Sequence, residues 1–216
     1  MVDVGSGEFT FDLTLQPSAL ITGTVTYKNP LPPHVREYIG IDNEIAGRGF
    51  GTAFGPDGSF AFHVGGTPFR PRLYGTAPTF IEELSVDGRA VKDGVVDVSE
   101  GASVHLTILA SDEVGNVNGF AVSDDRPVPA VLVVLAPAAG SPNPTNYRGF
   151  QTEYDGSFDY VAVKAGDYLL FAVDPLDLEY TKPEAIRPYL QSATPVHIAS
   201  HAVVEQRVPV AAAKQN

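Results

Sequence analysis

The chain has no cysteine, no tryptophan and a single methionine in 216 residues. Without cysteine there is no disulfide framework, no thiolate metal site and no cysteine nucleophile. Without tryptophan the usual sugar-stacking side chain is missing. Charge is scarce and one-sided. Fourteen Lys and Arg stand against 26 Asp and Glu, so the formal charge is 14 − 26 = −12. A nucleic-acid binder normally carries the opposite sign. No apolar run approaches the ~20 residues a membrane-spanning helix requires. The opening MVDVGSGEFT has neither the basic nor the apolar region of a signal peptide. Its abrupt entry into a strand pattern is expected if Met1 is an added start.

What the chain does have is alternation. Hydrophobic residues make up 44% of it, a globular composition. Phe9, Phe11, Leu13 and Leu15 alternate with Thr10, Asp12 and Thr14. Ile21, Val25 and Tyr27 alternate with threonines, Phe60, Phe62 and Val64 with Ala61 and His63, and Val104, Leu106 and Ile108 with His105 and Thr107. Such runs bury one face of a strand and wet the other. Val131–Leu135 and Tyr168–Val173 are apolar on both faces and are expected as central strands. Asp57-Gly58, Asp87-Gly88, Asp93-Gly94 and Asp155-Gly156 supply turns, because Gly tolerates positive φ. The one helix signal is Thr181-Lys-Pro-Glu184, a capping-box pattern. Arg187-Pro188 follows at once and limits it to one or two turns.

The pattern repeats. Thr22-Gly23-Thr24-Val25 matches Asn118-Gly119-Phe120-Ala121, an offset of 119 − 23 = 96. Asp57-Gly58-Ser59-Phe60 matches Asp155-Gly156-Ser157-Phe158, an offset of 155 − 57 = 98. The expectation is an all-β protein of two consecutive Ig-like or transthyretin-like antiparallel β-sandwiches, residues 16–111 and 112–212, followed by a tail at 213–216. The polar Asp112–Asn116 segment forms a short link between them. Val104–Leu109 and Val203–Val210 close the two units. Residues 1–15 hold a further strand, Phe9–Leu15. It is either the closing strand of an absent upstream unit or the opening strand of the first one.

These residues resemble a known family. Ile-Thr-Gly-Thr-Val, then Asp-Gly-Ser-Phe-Ala-Phe, Arg-Pro-Val-Pro-Ala-Val-Leu-Val-Val-Leu, Asp-Gly-Ser-Phe-Asp-Tyr and Val-Lys-Ala-Gly-Asp-Tyr-Leu-Leu-Phe-Ala look like tandem carboxypeptidase-regulatory-like domains. Those are transthyretin-like sandwiches of large secreted and cell-surface bacterial proteins. The second unit matches throughout. The first departs at Gly65-Gly66-Thr67-Pro68-Phe69, where the family usually has a Pro-Gly-x-Tyr turn. The resemblance implies an extracellular or cell-surface setting and a fold, with no chemistry attached.

Candidate chemistry is thin. His34, His63, His105, His197 and His201 lack an H-E-x-x-H pattern, and His197 and His201 fall in strand and turn, not on one helix face. Glu82-Glu83, Asp124-Asp125 and Asp174, Asp177 and Glu179 are acidic groups without the spacing of a calcium loop. Gly5-Ser6-Gly7 reads as linker, not a nucleophile elbow. Gly47-Arg-Gly-Phe-Gly51 lacks the helix that a phosphate loop needs. Lys28 and Lys164 lie near strands, but neither closing strand carries an Asn for an isopeptide partner. Tyr147, Phe150, Tyr154, Tyr180 and Tyr189 fall near loops of the second unit and could serve as ligand-loop aromatics.

No catalytic, cofactor-binding or metal residue is therefore expected. The leading expectation is a non-catalytic β-sandwich spacer within a larger exported bacterial protein. Its partners would be neighbouring domains of the same protein and, through Phe9–Leu15, other copies of itself. Nucleic acid and a membrane span are not expected. The alternatives are a polysaccharide-binding module using the loop aromatics, and a hydrolase on a β scaffold.

Overall fold

The computed structural model describes residues 17–32, 35–43, 47–48, 51–174 and 176–211. The first strands in chain order are β1 (Ala19–Tyr27), β2 (Glu37–Asn43), β3 (Gly47–Arg48), β4 (Thr52–Ala53), β5 (Ser59–Val64), β6 (Arg70–Gly75), β7 (Phe80–Val86), β8 (Arg89–Ala90) and β9 (Ser103–Ser111). There follow β10 (Val114–Ser123), β11 (Arg126–Pro127), β12 (Leu132–Pro137), β13 (Arg148–Gln151), β14 (Ser157–Lys164), β15 (Gly166–Val173), α1 (Pro183–Leu190), β16 (Thr194–Ile198) and β17 (Val203–Ala211). Among the described residues no strand of β1–β9 pairs with a strand of β10–β17.

In the first set, the sheet β5-β1-β9-β7-β8 faces a smaller one in which β2 pairs β3, β4 and β6. Ile21, Val25, Leu106 and Ile108 from one face and Ile39 from the other fill a shared dry core. The alternation of the sequence is thereby realised: His63, His105 and Thr107 point to solvent. Where Gly65–Phe69 departs from the family pattern, Phe69 is clamped to Val96 by reciprocal backbone bonds of 3.0 and 2.9 Å.

The second set is one continuous sheet, β11-β10-β17-β15-β12-β13 with β14 on β10 and β16 on β15, and it folds over at β17–β15 so that its two halves face each other. Val117, Phe158 and Tyr160 on one side meet Val133, Leu135, Leu170 and Ile198 on the other. The opposite face of β12 and β15 is also dry, because α1 covers it: Leu132, Val134, Phe171 and Val173 pack on Ile186. This double covering explains the strands that are apolar on both faces.

Most ladders are antiparallel, and β15 meets β17 in a short parallel one; two long parallel ladders fall at equivalent places in the two sets. The closing strand β9 runs parallel to the opening strand β1, and β17 runs parallel to β10. Sequence alternation carries no strand direction, so this feature was invisible before. The repeat is explained by the same contact. Gly23 lies opposite Phe60 and Leu106, and Gly119 opposite Phe158 and Gln206. A Cβ on Gly23 would stand 2.5 Å from the Leu106 carbonyl oxygen, and one on Gly119 1.7 Å from that of Gln206. Both middle strands need a residue without a side chain there. The Asp-Gly turns likewise recur: Gly58 and Gly156 have φ of 79° and 80°. The carboxylates of Asp57 and Asp155 accept from the Ser59 and Ser157 amides at 3.0 and 2.9 Å.

Two local expectations need correction. The capping box does not form, since Lys182 is the N-cap residue and makes no side-chain cap. The helix then continues through Pro188 to Leu190. Packing compensates for the missing N–H: Ile186 is buried, and the Tyr189 ring stacks on Phe171 at 5.6 Å and 7°. The link is also shorter than Asp112–Asn116, because β10 already begins at Val114. Phe9–Leu15, Gly5-Ser6-Gly7 and His34 lie outside the described residues.

Candidate functional site

The junction between the strand sets is braced by side chains. Only Asp112 and Glu113 separate β9 from β10. The Lys28 ammonium donates to Glu113 at 2.8 Å and to Glu82 at 3.3 Å. The Asn29 amide donates to Asp112 at 2.8 Å, and the Ala165 N–H donates to the Glu113 carbonyl at 2.8 Å. One lysine therefore ties the end of β1 to β7 and to the link itself. The carboxylates of Glu113 and Glu82 hold its pKa above the ordinary lysine value. Lys164 stands 5.0 Å from the Phe80 ring centroid, a cation–π contact from the second set to the first.

Beside this junction lies a cleft of about 820 Å³. Its cations are Arg70, Arg72, Lys92, Arg148 and Lys164, and its one acid is Glu82, a formal balance of 5 − 1 = +4. The rest of the chain carries −12 − 4 = −16. Arg70 and Arg72 have partners of their own. Arg148 is different. Its Nη1 donates to the Val161 carbonyl at 2.7 Å, and its guanidinium carbon lies 5.4 Å from the Tyr160 ring centroid. Among the described residues it forms no ion pair. Partial removal from water lowers its pKa, against the opposing effects of Tyr160, Tyr168, Asp159 and Tyr180. The 3₁₀ turn Pro144–Asn146 forms the rim beside it, capped by the Asn143 side chain. A Cβ on Gly94 would stand 2.6 Å from Asn143 Nδ2, so the two strand sets meet at that rim.

A second cleft, of about 840 Å³, opens over β10, β14 and β17. Asn118, Asp159 and Glu205 form a row across its three strands. Arg207 lines it as well and donates to the Asp125 carbonyl at 2.8 Å.

The structure does not gather the ligand-loop aromatics onto one platform. Tyr147 is 5% exposed, and its hydroxyl accepts from the Ser141 N–H at 2.9 Å. Phe150 packs edge-on against Tyr160 and lines the second cleft. Tyr189 is stacked on Phe171, as described above. Tyr154 is fully exposed at a turn and lines neither cleft. Tyr147 and Tyr180 alone share the basic cleft. Arg148 is not legible from sequence as a site residue, because the other cations of the cleft are distant from it along the chain. What the sequence does show is a cation between Tyr147 and Gly149 in a chain with few cations.

The remaining candidates sort simply. Ser18 Oγ lies 3.2 Å from His63 Nδ1, and Thr22 Oγ1 3.2 Å from His105 Nδ1. Among the described residues neither imidazole is bonded to a carboxylate; Asp87 accepts from the His105 backbone amide instead. His197 Nδ1 lies 2.7 Å from Asp167 Oδ1 without a hydroxyl partner. These pairs stand on outward strand faces, so none assembles a nucleophile, base and orienting group. Gly47 and Arg48 pair with β2 as a strand. Asp124 and Asp125 both have positive φ and form the β10–β11 turn. Glu179 accepts from Lys182 at 2.6 Å. Among the described residues no group of three or more His, Asp or Glu is placed to hold a metal ion, and no helix is long and apolar enough to cross a membrane.

No protein-family model matches this chain, and neither does any curated protein. Solved structures do. A minor pilin of Streptococcus agalactiae is 14% identical, with a TM-score of 0.34 over 92% of this chain and 98% of that one. The shaft pilin SpaA of Lactobacillus rhamnosus GG is 8% identical, with a TM-score of 0.32 over 93% and 100%. The Bacillus anthracis TIE protein is 9% identical, with a TM-score of 0.34 over 89% of this chain and 34% of that one. This chain thus spans about a third of the TIE chain. At such scores the all-β architecture rests on the strand ladders described above.

Proposed function

We propose that the chain is a non-catalytic structural module: two carboxypeptidase-regulatory-like sandwiches, residues 16–111 and 112–212, set in series within an exported, cell-surface bacterial protein. The observation that carries this reading is the two-residue link with its Lys28, Asn29 and Ala165 braces. A link of that length has little slack, and the braces remove most of what remains. Surface ion pairs contribute only ~0–1 kcal/mol each. Their role here is to select one orientation, while the two dry cores supply the stability. The exported setting is supported by the family resemblance of the repeated strand and turn motifs.

Small-angle X-ray scattering tests the reading. The native chain should give a pair-distance distribution with two resolved lobes. Inserting four Gly-Ser residues between Asp112 and Glu113 should broaden it. Identical curves for the two proteins would remove the stiff-spacer reading.

A further inference from the structure

We propose that the basic cleft beside the junction binds an oxyanion, a carboxylate or phosphate, carried on a glycan segment. The inference goes beyond the spacer reading, and its centre is Arg148. A guanidinium offers five N–H donors in a planar fork suited to a bidentate oxyanion. Here one nitrogen donates to Val161, and the guanidinium carbon stands 5.4 Å from the Tyr160 ring centroid. The remaining donors are held on the short strand β13 without an ion-pair partner among the described residues. A half-buried cation with no counter-ion is costly, and an incoming anion relieves that cost.

Lys164 and Lys92 add charge from two directions. The Tyr168 hydroxyl donates to the Lys164 carbonyl at 2.9 Å and holds that backbone beside the cleft. Lys92 is exposed and lines the same cleft from the first strand set. Around the cations the wall is mixed: Thr181 and the partly exposed Tyr180 ring stand with Leu73, Phe80 and Val163, and the Thr79, Thr145 and Asn146 side chains already donate to Glu37, Asn143 and Ser141. Rings and apolar patches suit the faces of a sugar, and the oxygens of these polar side chains can still accept from its hydroxyls. The cleft's volume lies within the range of ~300–1,000 Å³ for small-ligand sites. The −16 charge elsewhere disfavours a densely charged polymer and favours a sugar with isolated anionic groups.

Isothermal titration calorimetry on the full chain tests this with four probes: an oligogalacturonate, the same oligomer fully methyl-esterified, a phosphorylated oligomannoside and an oligoglutamate. At least one anionic sugar should bind, and salt should weaken it. If the oligogalacturonate binds, its methyl ester should bind at least about tenfold more weakly. The two anionic sugars distinguish a carboxylate from a phosphate source. Arg148→Ala should weaken binding about tenfold or more, as loss of a charged hydrogen bond predicts. Lys92→Ala, a surface change that leaves the fold intact, should weaken it several-fold. Circular dichroism confirms that each variant is folded; if Arg148→Ala is not, Lys92→Ala decides alone. Absence of binding by both anionic sugars overturns the proposal. So does equal binding of the neutral ester, tighter binding of oligoglutamate, or unchanged affinity in the deciding variant.

Discussion

Gly119→Ala probes the repeat at its tightest point. Gly119 sits mid-strand in β10 with φ of 150°, and a Cβ there would lie 1.7 Å from the Gln206 carbonyl oxygen. That oxygen belongs to the backbone of β17, so no side-chain rotation relieves the clash. Forcing the strands apart costs about 1–3 kcal/mol as overpacking. The sparsely populated φ adds about 1–3 kcal/mol. The sum, roughly 2–6 kcal/mol, should lower the melting temperature by roughly 4–24 °C, at about 2–4 °C per kcal/mol for a chain of this size. Gly23→Ala makes the equivalent approach to Leu106 in β9 with no positive φ. It should cost about 1–3 kcal/mol. Gly65→Ala is the control, because a Cβ there meets nothing within 4 Å. Its effect should stay within about 0.5 kcal/mol. Differential scanning calorimetry should show Gly23→Ala and Gly119→Ala lowering different transitions if residues 16–111 and 112–212 melt separately. The reasoning fails if Gly119→Ala melts with Gly65→Ala.

Two further outcomes are expected. The exposed carboxylates of Asp57 and Asp155 titrate below the ordinary value, because they accept from the side chain and amide of the serine two residues on. A depressed folded pKa stabilises the fold above the unfolded value of about 4 and loses that contribution as pH falls through the folded pKa. Thermal melts between pH 7 and 2 should therefore fall further for the native chain than for an Asp57→Asn/Asp155→Asn variant, and parallel curves would argue against the turn role. If Phe9–Leu15 joins a neighbouring copy by edge pairing, size-exclusion chromatography with light scattering should show assembly that deletion of residues 1–16 abolishes; monomers from both proteins would exclude it.

Much of the fold was legible because a strand with one wetted face states its burial in period two. Leu106 and Ile108 are buried and His105 and Thr107 exposed, as the alternation requires. The repeated Gly and Asp-Gly motifs were legible for a physical reason as well: steric approach and positive φ admit few other residues. What alternation cannot encode is partner choice. The parallel β1–β9 and β10–β17 ladders depend on where a strand returns after some 80 residues. The reach of α1 past Pro188 depends on Phe171 and the β12–β15 face, which local rules do not see. The basic cleft was the least legible feature. Its walls come from residues 70–94 and 143–181, and only folding brings Lys92 toward Arg148 and Lys164.

On the proposed reading, two sandwiches hold one orientation through the braced link. The absence of cysteine makes the direct measurement clean. Spin labels at Asp97→Cys and Tyr154→Cys, both on exposed sites, report the distance between the two units by pulsed electron resonance. A single narrow distance distribution, broadened by Lys28→Ala, is the predicted result. A broad distribution in the native chain, insensitive to Lys28, would contradict it.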